Sequence, residues 1–389
     1  MTAEALPRTA PAPSWRSSLG LSLALVGASR LVFWLAAGVL QRAGGVLPAS
    51  GFESGWPWLF GVYARFDHGH FQRIALGGYF QLDQGNIAYD EAFFPGYPFL
   101  ARGIAALFGG GEPTTTTAMS LLTWAGLWLG AALLIHLARR GELFGADWRL
   151  VAFVVFFGPW SVFFMAPYSE GLFLACAVGA WTLARRERWG WAVALACGAT
   201  ALRINGLFLL PMLALMMLSG RWREPRAWAR VSLLVLPSLP PALYFTYLWS
   251  VTGNWFTWFE TQKHWGRTAT APWDSLVVSI RLIGEAPQFA FQRTMEVLAA
   301  LVYLLVVIQL ARWRRWELVL FTALTLFSLT TSQFFQSIPR SMLSCFPALV
   351  VIAWWLTRFP WWLRWLCIGL GSMILALNVT TILAGRWTG

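Results

Sequence analysis

Charged residues are scarce in this chain, where they make up 12% of 389 residues. A typical soluble protein has about 25%. Hydrophobic residues account for 58% of the chain, and the mean hydropathy is +0.58. Since a soluble domain cannot bury that much apolar surface, the composition excludes a water-soluble enzyme or binding module. It predicts an all-α polytopic membrane protein.

Lysine and cysteine are also scarce. Lys263 is the single lysine among 29 basic residues, and no basic block lies outside the connections between apolar runs. The net charge of +12 therefore does not predict a nucleic-acid partner, and it fits the positive inner loops of membrane proteins. The cysteines have no metal-ligand or redox spacing and are predicted to be small core residues. They are Cys176, Cys197, Cys345 and Cys367.

Apolar runs near the length of a membrane span recur along the chain. Residues 1–18 are predicted to form a cytoplasmic tail and residues 19–389 one transmembrane domain, without an internal repeat or strand-like alternation. A short apolar segment at 93–109 is ambiguous. We predict eleven spans, at about 19–40, 118–138, 149–166, 170–184, 189–202, 204–219, 228–250, 294–312, 316–332, 340–357 and 365–384.

The positions of the arginines predict the orientation. With the N-terminus inside, the short inner connections receive the arginine clusters at 139–149, 185–188, 221–230, 312–315 and 358–364. Two long connections, at about 41–117 and 251–293, then face outward and are expected to carry interfacial helices. Most acidic residues and three of the four histidines fall on this side. We therefore expect the active site at the outer face.

Asp67 is the candidate catalytic residue. It follows the first apolar run, and the residues after it fit an amphipathic helix lying along the membrane surface. A carboxylate at the boundary of water and lipid, beside aromatic residues, can keep a usable proton affinity and act as a general base. The alternative is a solvated loop acid.

His68, His70 and Glu91 are candidate substrate-binding residues around Asp67. Imidazole and carboxylate ligands together suit zinc or manganese. The spacing matches no standard ligand pattern, so we expect no metal or other cofactor to be required. His70 is expected to orient a substrate hydroxyl or to form a hydrogen bond with Asp67.

Further candidates lie at the outer ends of later spans. Glu170 follows a helix-breaking proline and is expected to contact an acceptor sugar, pair with an arginine or stay hydrated. Arg203 and Arg340 lie near apolar segments, where an unpaired charge is costly, so both are candidate phosphate ligands. The second outer connection adds Lys263, His264 and Arg267 beside tryptophans, although those tryptophans also fit an ordinary aromatic belt.

The sequence resembles the PIG-V family, mannosyltransferases that add the second mannose of glycosylphosphatidylinositol anchors. The similarity lies in FDHGHFQRIALGGY at 66–79 and AFFPGYP at 92–98. PYSE at 167–170, RINGL at 203–207 and QKHWGR at 262–267 follow in the family's order, and the second of these adds Asn205 to the candidate binding residues. Phe66 stands where the family usually has tryptophan. The arginine bias suggests a bacterial member.

The resemblance implies a GT-C-type glycosyltransferase fold, with an outer-face active site and a polyprenyl-phosphate sugar as donor. It assigns the role of base to Asp67. We therefore expect an inverting mannosyltransferase of the bacterial inner membrane, active on the periplasmic side, that uses a lipid or glycan acceptor. The alternatives are a transporter or lipid flippase, with charged residues near the bilayer midplane in an inverted repeat, and a non-catalytic partner of another membrane enzyme.

Overall fold

A computed structural model describes residues 13–44, 55–83 and 85–388. Most of the predicted cytoplasmic tail, residues 1–12, and part of the first long connection, residues 45–54 and 84, lie outside the described residues. The structure is 77% helical, which confirms the all-α class. The first helix begins at Trp15, inside the predicted tail, because Ser14 caps it by accepting a hydrogen bond from the Ser17 backbone N–H.

The elements follow one another along the chain with short turns between most of them. The helices are α1 (Trp15–Arg42), α2 (Gly55–Gly61), α3 (Asp67–Gly77), α4 (Gly96–Ala106), α5 (Glu112–Arg139), α6 (Trp148–Phe157), α7 (Glu170–Arg185), α8 (Trp189–Leu202), α9 (Leu209–Leu218), α10 (Pro225–Val231), α11 (Leu239–Thr252), α12 (Thr257–Gln262), α13 (Pro272–Glu285), α14 (Ala290–Arg312), α15 (Trp316–Thr330), α16 (Ile338–Ser341), α17 (Phe346–Arg358) and α18 (Trp361–Leu383). The two strands are β1 (Leu82–Asp83) and β2 (Asn86–Ile87).

Five helical segments in the described part of the chain are long and apolar enough to cross a membrane by length and composition. Four of them are α1, α5, α18 and the segment Pro287–Arg312, which contains α14. The fifth joins α10 to α11 through a 3₁₀ turn. The other predicted spans overlap shorter helices, and the ambiguous segment at 93–109 contains the 11-residue α4. At about 1.5 Å per residue, α4 alone is too short to cross a bilayer.

The helix α5 is the centre of the bundle. Of its most apolar window, 61% is buried, against 28% for each of the other four long segments. It packs closely on α7 because Gly171 has no side chain: a Cβ there would collide with the Thr123 carbonyl oxygen. Small residues allow this close approach of helix backbones in membrane proteins. The first residues of α7, including Glu170, are thereby held against α5.

The first long connection folds into α2, α3, a small hairpin and α4. The hairpin of β1 and β2 is antiparallel, with Leu82 opposite Ile87, and the sequence showed no alternation that would predict it. The helix α3 was predicted. It buries His68, Phe71, Ile74 and Ala75 on one face, at helical spacing, against α4 and α5.

The arginine-bearing turns gather at one end of the bundle. Arg221 pairs with Glu187 at 3.0 Å, and Arg185 lies 3.9 Å from Glu142. Glu170 and Arg185 are the first and last residues of α7, so roughly 22 Å of helix separates them. The arginine-rich turns and the end that carries Asp67 and Glu170 therefore lie at opposite ends of the bundle.

Candidate active site

A cavity of about 170 Å³ opens at the end of the bundle that carries Asp67. One buried water needs only about 10–15 Å³, so the cavity has room for a small ligand. Its wall combines aromatic rings with charged and amide groups from several separate segments. The polar and aromatic residues of the wall include Asp67, Phe71, Phe93, Ser169, Arg203, Asn205, Trp258, Gln262, Trp265, Arg267, Gln336, Ser337, Arg340 and Trp387.

Asp67 is the first residue of α3, where the helix dipole favours a negative charge. The preceding Phe66 has φ 50°, an unfavourable value for a bulky residue, and its ring packs edge-on against Trp387 at 5.0 Å. The Asp67 side chain is 22% exposed, and its Oδ2 accepts a hydrogen bond from Arg340 Nη1 at 2.5 Å. The carboxylate thus lies at the cavity surface and is held in an ion pair.

Arg340 links two carboxylates. Besides its contact with Asp67, it donates from Nε to Glu170 Oε1 at 2.6 Å, and its Nη2 lies 2.5 Å from the same oxygen. Its guanidinium also lies 4.5 Å from the ring centre of Tyr168 and 5.1 Å from that of Phe163, within cation–π range. With only 6% of its side chain exposed, Arg340 is fixed on all sides.

Glu170 lies behind the cavity wall and is fully buried. Its Oε1 also forms an ion pair with Arg203 Nη1 at 2.9 Å, and the same nitrogen donates a hydrogen bond to Ser169 Oγ at 3.2 Å. The sequence left open whether Glu170 is hydrated, pairs with an arginine or contacts an acceptor; in the structure it pairs with two arginines.

Arg203 reaches the cavity because the chain breaks there between α8 and the following 3₁₀ turn. Its backbone is extended, with φ −155° and ψ 144°. Gly206 then folds back onto α8, where a Cβ would lie 2.5 Å from the Thr200 backbone nitrogen. Gly206 therefore lets the chain fold back closely on α8, and this leaves Arg203 and Asn205 in the wall.

Burial would raise the pKa of the Asp67 carboxyl, but Arg340 opposes it through its charge and its hydrogen bond. His70 and Arg203 act in the same direction, and the net pKa lies below the usual value of 3.8. Asp67 is therefore ionised at neutral pH. With Arg340 bound it is a weaker base than the sequence predicted, because the arginine stabilises the charged form.

Glu296 supports the site from α14, and sequence analysis did not select it. Its two carboxylate oxygens accept the backbone N–H groups of Ser337 and Ile338, each at 2.8 Å. Ser337 has φ 59°, a left-handed conformation that this double contact stabilises. The signal was present, since an acid inside a predicted span is by default a functional candidate. Glu296 thereby sets the position of α16 and of Arg340.

His68 and His70 lie apart although they are neighbours in sequence. His68 is buried, and its Nε2 lies 2.8 Å from Thr116 Oγ1, so it joins α3 to α5 outside the cavity wall. His70 Nδ1 lies 2.7 Å from Asp90 Oδ1, and its ring stacks on Phe93 at 4.4 Å. His70 therefore supports the wall from behind.

Asp90 is fully buried and also pairs with Arg73, which was not among the predicted site residues. Arg73 Nη2 lies 2.9 Å from Asp90 Oδ1, and Arg73 Nε donates to Oδ2 at 3.1 Å. Both Asp90 oxygens are thus occupied by a guanidinium. In the part of the chain that the structure describes, no group of three or more histidine, cysteine or acidic side chains is arranged to hold a metal ion.

Three other predicted site residues lie outside the cavity wall. Glu91 is buried, and burial raises the pKa of its carboxyl; its backbone oxygen accepts a hydrogen bond from Tyr244 at 2.7 Å. His264 stacks on Tyr89 at 3.5 Å and is exposed. Lys263 is exposed on the same 3₁₀ turn. The turn directs the chain so that Trp265 and Arg267 line the cavity while Lys263 and His264 do not.

The burial of His68 predicts how the stability of the fold depends on pH. Burial lowers the pKa of His68 from about 6.5 to about 3, so below about pH 6.5 the unfolded chain binds a proton that the folded chain does not. Stability is present above that pH and is lost as the pH falls towards 3, by about 2 kcal/mol at pH 5. His68→Gln keeps a hydrogen-bonding group but does not titrate. We expect its thermal midpoint to fall less between pH 7 and about pH 5 than that of the wild type.

The measurement is thermal unfolding of the purified protein in detergent, followed by tryptophan fluorescence. The matched control is His264→Gln, the same replacement at a histidine that is exposed on the surface. Equal pH dependence in the wild type and in the His68 variant would show that this histidine is not buried in its neutral form.

Comparison with protein-family models, with curated proteins and with solved structures gives no match. The class of the protein therefore rests on its own features. It is an all-α membrane protein by composition and helix length. At one end of its bundle, a polar cavity brings together an ionised carboxylate and three arginines.

Proposed function

We propose that the protein is an inverting glycosyltransferase that moves a hexose, with mannose as the expected sugar, from a polyprenyl-phosphate donor to a lipid or glycan acceptor. One observation carries this proposal. An ionised carboxylate, Asp67, shares a cavity of about 170 Å³ with the cationic side chains of Arg203, Arg267 and Arg340. The reaction needs this pairing: a proton acceptor for the incoming hydroxyl and positive charge for the departing phosphate.

The reaction is a single displacement. An acceptor hydroxyl oxygen attacks the anomeric carbon and forms the new glycosidic bond while the bond between that carbon and the phosphate oxygen breaks. The hydroxyl proton passes to the Asp67 carboxylate, and the polyprenyl phosphate leaves with the electron pair of the broken bond. A second catalytic acid, such as glycosidases use, is unnecessary because phosphate leaves without being protonated.

The low proton affinity of Asp67 fits this reaction when the donor is bound. In the structure, Arg340 holds the pKa of Asp67 down, so the carboxylate is ionised and available. A donor phosphate in the cavity adds negative charge nearby and raises the pKa of Asp67, since like charges disfavour the ionised form. The base thus becomes stronger only when its substrate is present.

The arginine-rich turns at the opposite end of the bundle support an outward-facing cavity. The positive-inside rule favours a cytoplasmic position for those turns, and an outer-face position of the cavity is consistent with it. In a bacterial cell that is the periplasmic side of the inner membrane. The hydrocarbon chain of a polyprenyl donor can then remain in the membrane while its phosphate and sugar enter the cavity.

The experiment is sugar transfer by the purified protein in lipid vesicles. Polyprenyl phosphate carrying a labelled mannose is supplied with a membrane lipid extract, and label is followed in products separated from the donor. We expect label in a new lipid or glycan species. Label that crosses the bilayer on an unchanged donor would favour a flippase instead. Label that neither moves nor changes carrier would contradict both functions.

A further inference from the structure

We infer that Arg267, together with Arg203, forms the subsite that holds the phosphoryl group of the lipid ligand, and that Arg340 is a positioning residue for Asp67. This assignment rests on the proposed function. It differs from the expectation that Arg340 is itself a phosphate ligand. The argument begins with the charges in and behind the cavity wall.

The charge of Arg340 is already matched. Three of its nitrogens contact carboxylates, Nη1 at Asp67 and both Nε and Nη2 at Glu170. Glu170 is fully buried and needs that contact, because an unpaired buried carboxylate is costly. A phosphate that drew Arg340 away would leave Glu170 with Arg203 alone. Arg340 therefore serves the two carboxylates.

Arg267 is the guanidinium in the wall that forms no ion pair with a described residue. Its side chain is exposed to the cavity, and the guanidinium makes no hydrogen bond or ion pair with any residue that the structure describes. Among the residues of the cavity wall, Arg203, Arg267 and Arg340 share one carboxylate, that of Asp67, while Glu170 and Glu296 lie behind the wall. The surrounding protein desolvates Arg267, and this, followed by the charge of Arg203, lowers the pKa of its guanidinium against the opposing charges of Asp67 and Glu296. An anion in the cavity would stabilise it.

The backbone at Arg267 is fixed although its side chain is free. Its N–H donates to the Gln262 carbonyl at 3.2 Å. Gly266 has φ 67°, and its carbonyl accepts the Gln333 N–H at 3.0 Å. The loop is thus joined to the segment that follows α15. A free guanidinium on a fixed backbone is suited to binding a ligand, because little backbone freedom is lost when the ligand arrives.

Arg203 supplies the second part of the subsite. Its side chain is 28% exposed, and its contacts with Ser169 and Glu170 both use Nη1. Its Nε and Nη2 make no hydrogen bond with any other described residue, so they remain available to a ligand. Each of the two guanidinium groups carries the planar fork of N–H donors by which arginine recognises phosphate.

Binding of farnesyl phosphate, a short polyprenyl phosphate, tests the assignment. The purified full-length protein in nanodiscs is titrated by calorimetry as wild type, as Arg267→Ala and as Arg281→Ala. Arg281 is an exposed arginine on α13 outside the cavity wall, so its replacement is a control for the loss of one positive charge. We expect Arg267→Ala to weaken binding between about tenfold and a hundredfold, and Arg281→Ala to bind as the wild type does.

Two further ligands identify what the subsite recognises. Farnesol has the same chain without the phosphate, and its binding should be equal in all three proteins. Inorganic phosphate that displaces farnesyl phosphate would show that the phosphoryl group alone suffices. Inorganic phosphate that does not displace it would show that the lipid chain is part of the ligand. Either result supports the subsite if affinity for farnesyl phosphate depends on Arg267.

Arg267→Lys keeps the charge but loses the planar fork, and it should recover part of the affinity. Equal affinity in the wild type and in Arg267→Ala, with unchanged thermal midpoints, would overturn the assignment, and so would absence of binding to the wild type. Sugar transfer without Arg267-dependent binding would overturn the subsite and leave the proposed function standing. Arg267-dependent binding without sugar transfer would overturn the proposed function and leave the subsite standing.

Discussion

Asp67→Asn should lower the rate of sugar transfer by about 10²- to 10⁴-fold, the range that a positioned general base contributes. The replacement keeps the shape of the side chain and an oxygen that can accept the hydrogen bond from Arg340. It removes the group that takes the proton of the acceptor hydroxyl. The measurement is the turnover number with labelled donor at saturating concentration.

The fold and the donor site should survive this change. We expect Asp67→Asn to bind farnesyl phosphate at least as tightly as the wild type, because a negative charge has been removed from the cavity. The matched control is Asp83→Asn, since the Asp83 side chain is 54% exposed and pairs only with Arg73 among the described residues. That variant should transfer sugar normally. Turnover near the wild-type rate in Asp67→Asn would exclude Asp67 as the base.

Arg340→Gln should have the largest effect on stability. It leaves Glu170 fully buried with Arg203 as its one remaining cationic partner among the described residues, and it leaves Asp67 without its ion pair. Breaking a buried ion pair from one side costs about 3–5 kcal/mol. We expect a clearly lower thermal midpoint and lower transfer activity. An exposed control, Arg281→Gln, should stay within about 0.5 kcal/mol of the wild type.

A double variant separates the loss of the pair from the loss of a buried charge. In Arg340→Gln with Glu170→Gln, no unpaired carboxylate remains behind the wall, so part of the stability should return. Sugar transfer should not return, because Asp67 still lacks the arginine that positions it. The single variants Arg340→Gln and Glu170→Gln complete the comparison. If their losses of stability simply add in the double variant, the contact between Arg340 and Glu170 does not contribute as the structure indicates.

The helical architecture was predictable because apolar runs and arginine-rich turns are local patterns. The span predicted at 19–40 corresponds to α1, and the helix predicted after Asp67 corresponds to α3. The short hairpin of β1 and β2 was not predictable, since two-residue strands carry no alternation. The GT-C fold stays a prediction that these elements do not test.

The members of the site were more predictable than their contacts. Asp67, Arg203, Asn205, Arg267 and Arg340 line one cavity, and the other six candidate residues lie outside its wall. The ion pair of Asp67 with Arg340 joins residues 273 positions apart, and no sequence pattern specifies which arginine meets which acid. Glu296 could have been selected as an acid inside a predicted span, but no sequence pattern specifies its partners, which are backbone N–H groups.

Lys263 shows why an unusual residue type is weak evidence for a site. The single lysine was among the candidate residues, yet it is exposed at the start of a 3₁₀ turn outside the cavity wall. Four residues later, after the left-handed turn at Gly266, Arg267 lines the cavity. The direction of each side chain depends on that turn, and the composition of the segment does not reveal it.

The anomeric configuration of the transferred sugar tests the central claim most directly. If Asp67 activates the acceptor for a single displacement of phosphate, the new glycosidic bond must have the configuration opposite to that of the donor. The measurement is proton NMR of the product formed from a donor of known configuration by the purified protein. We predict complete inversion. Retention of the donor configuration would contradict a single displacement with Asp67 as its base.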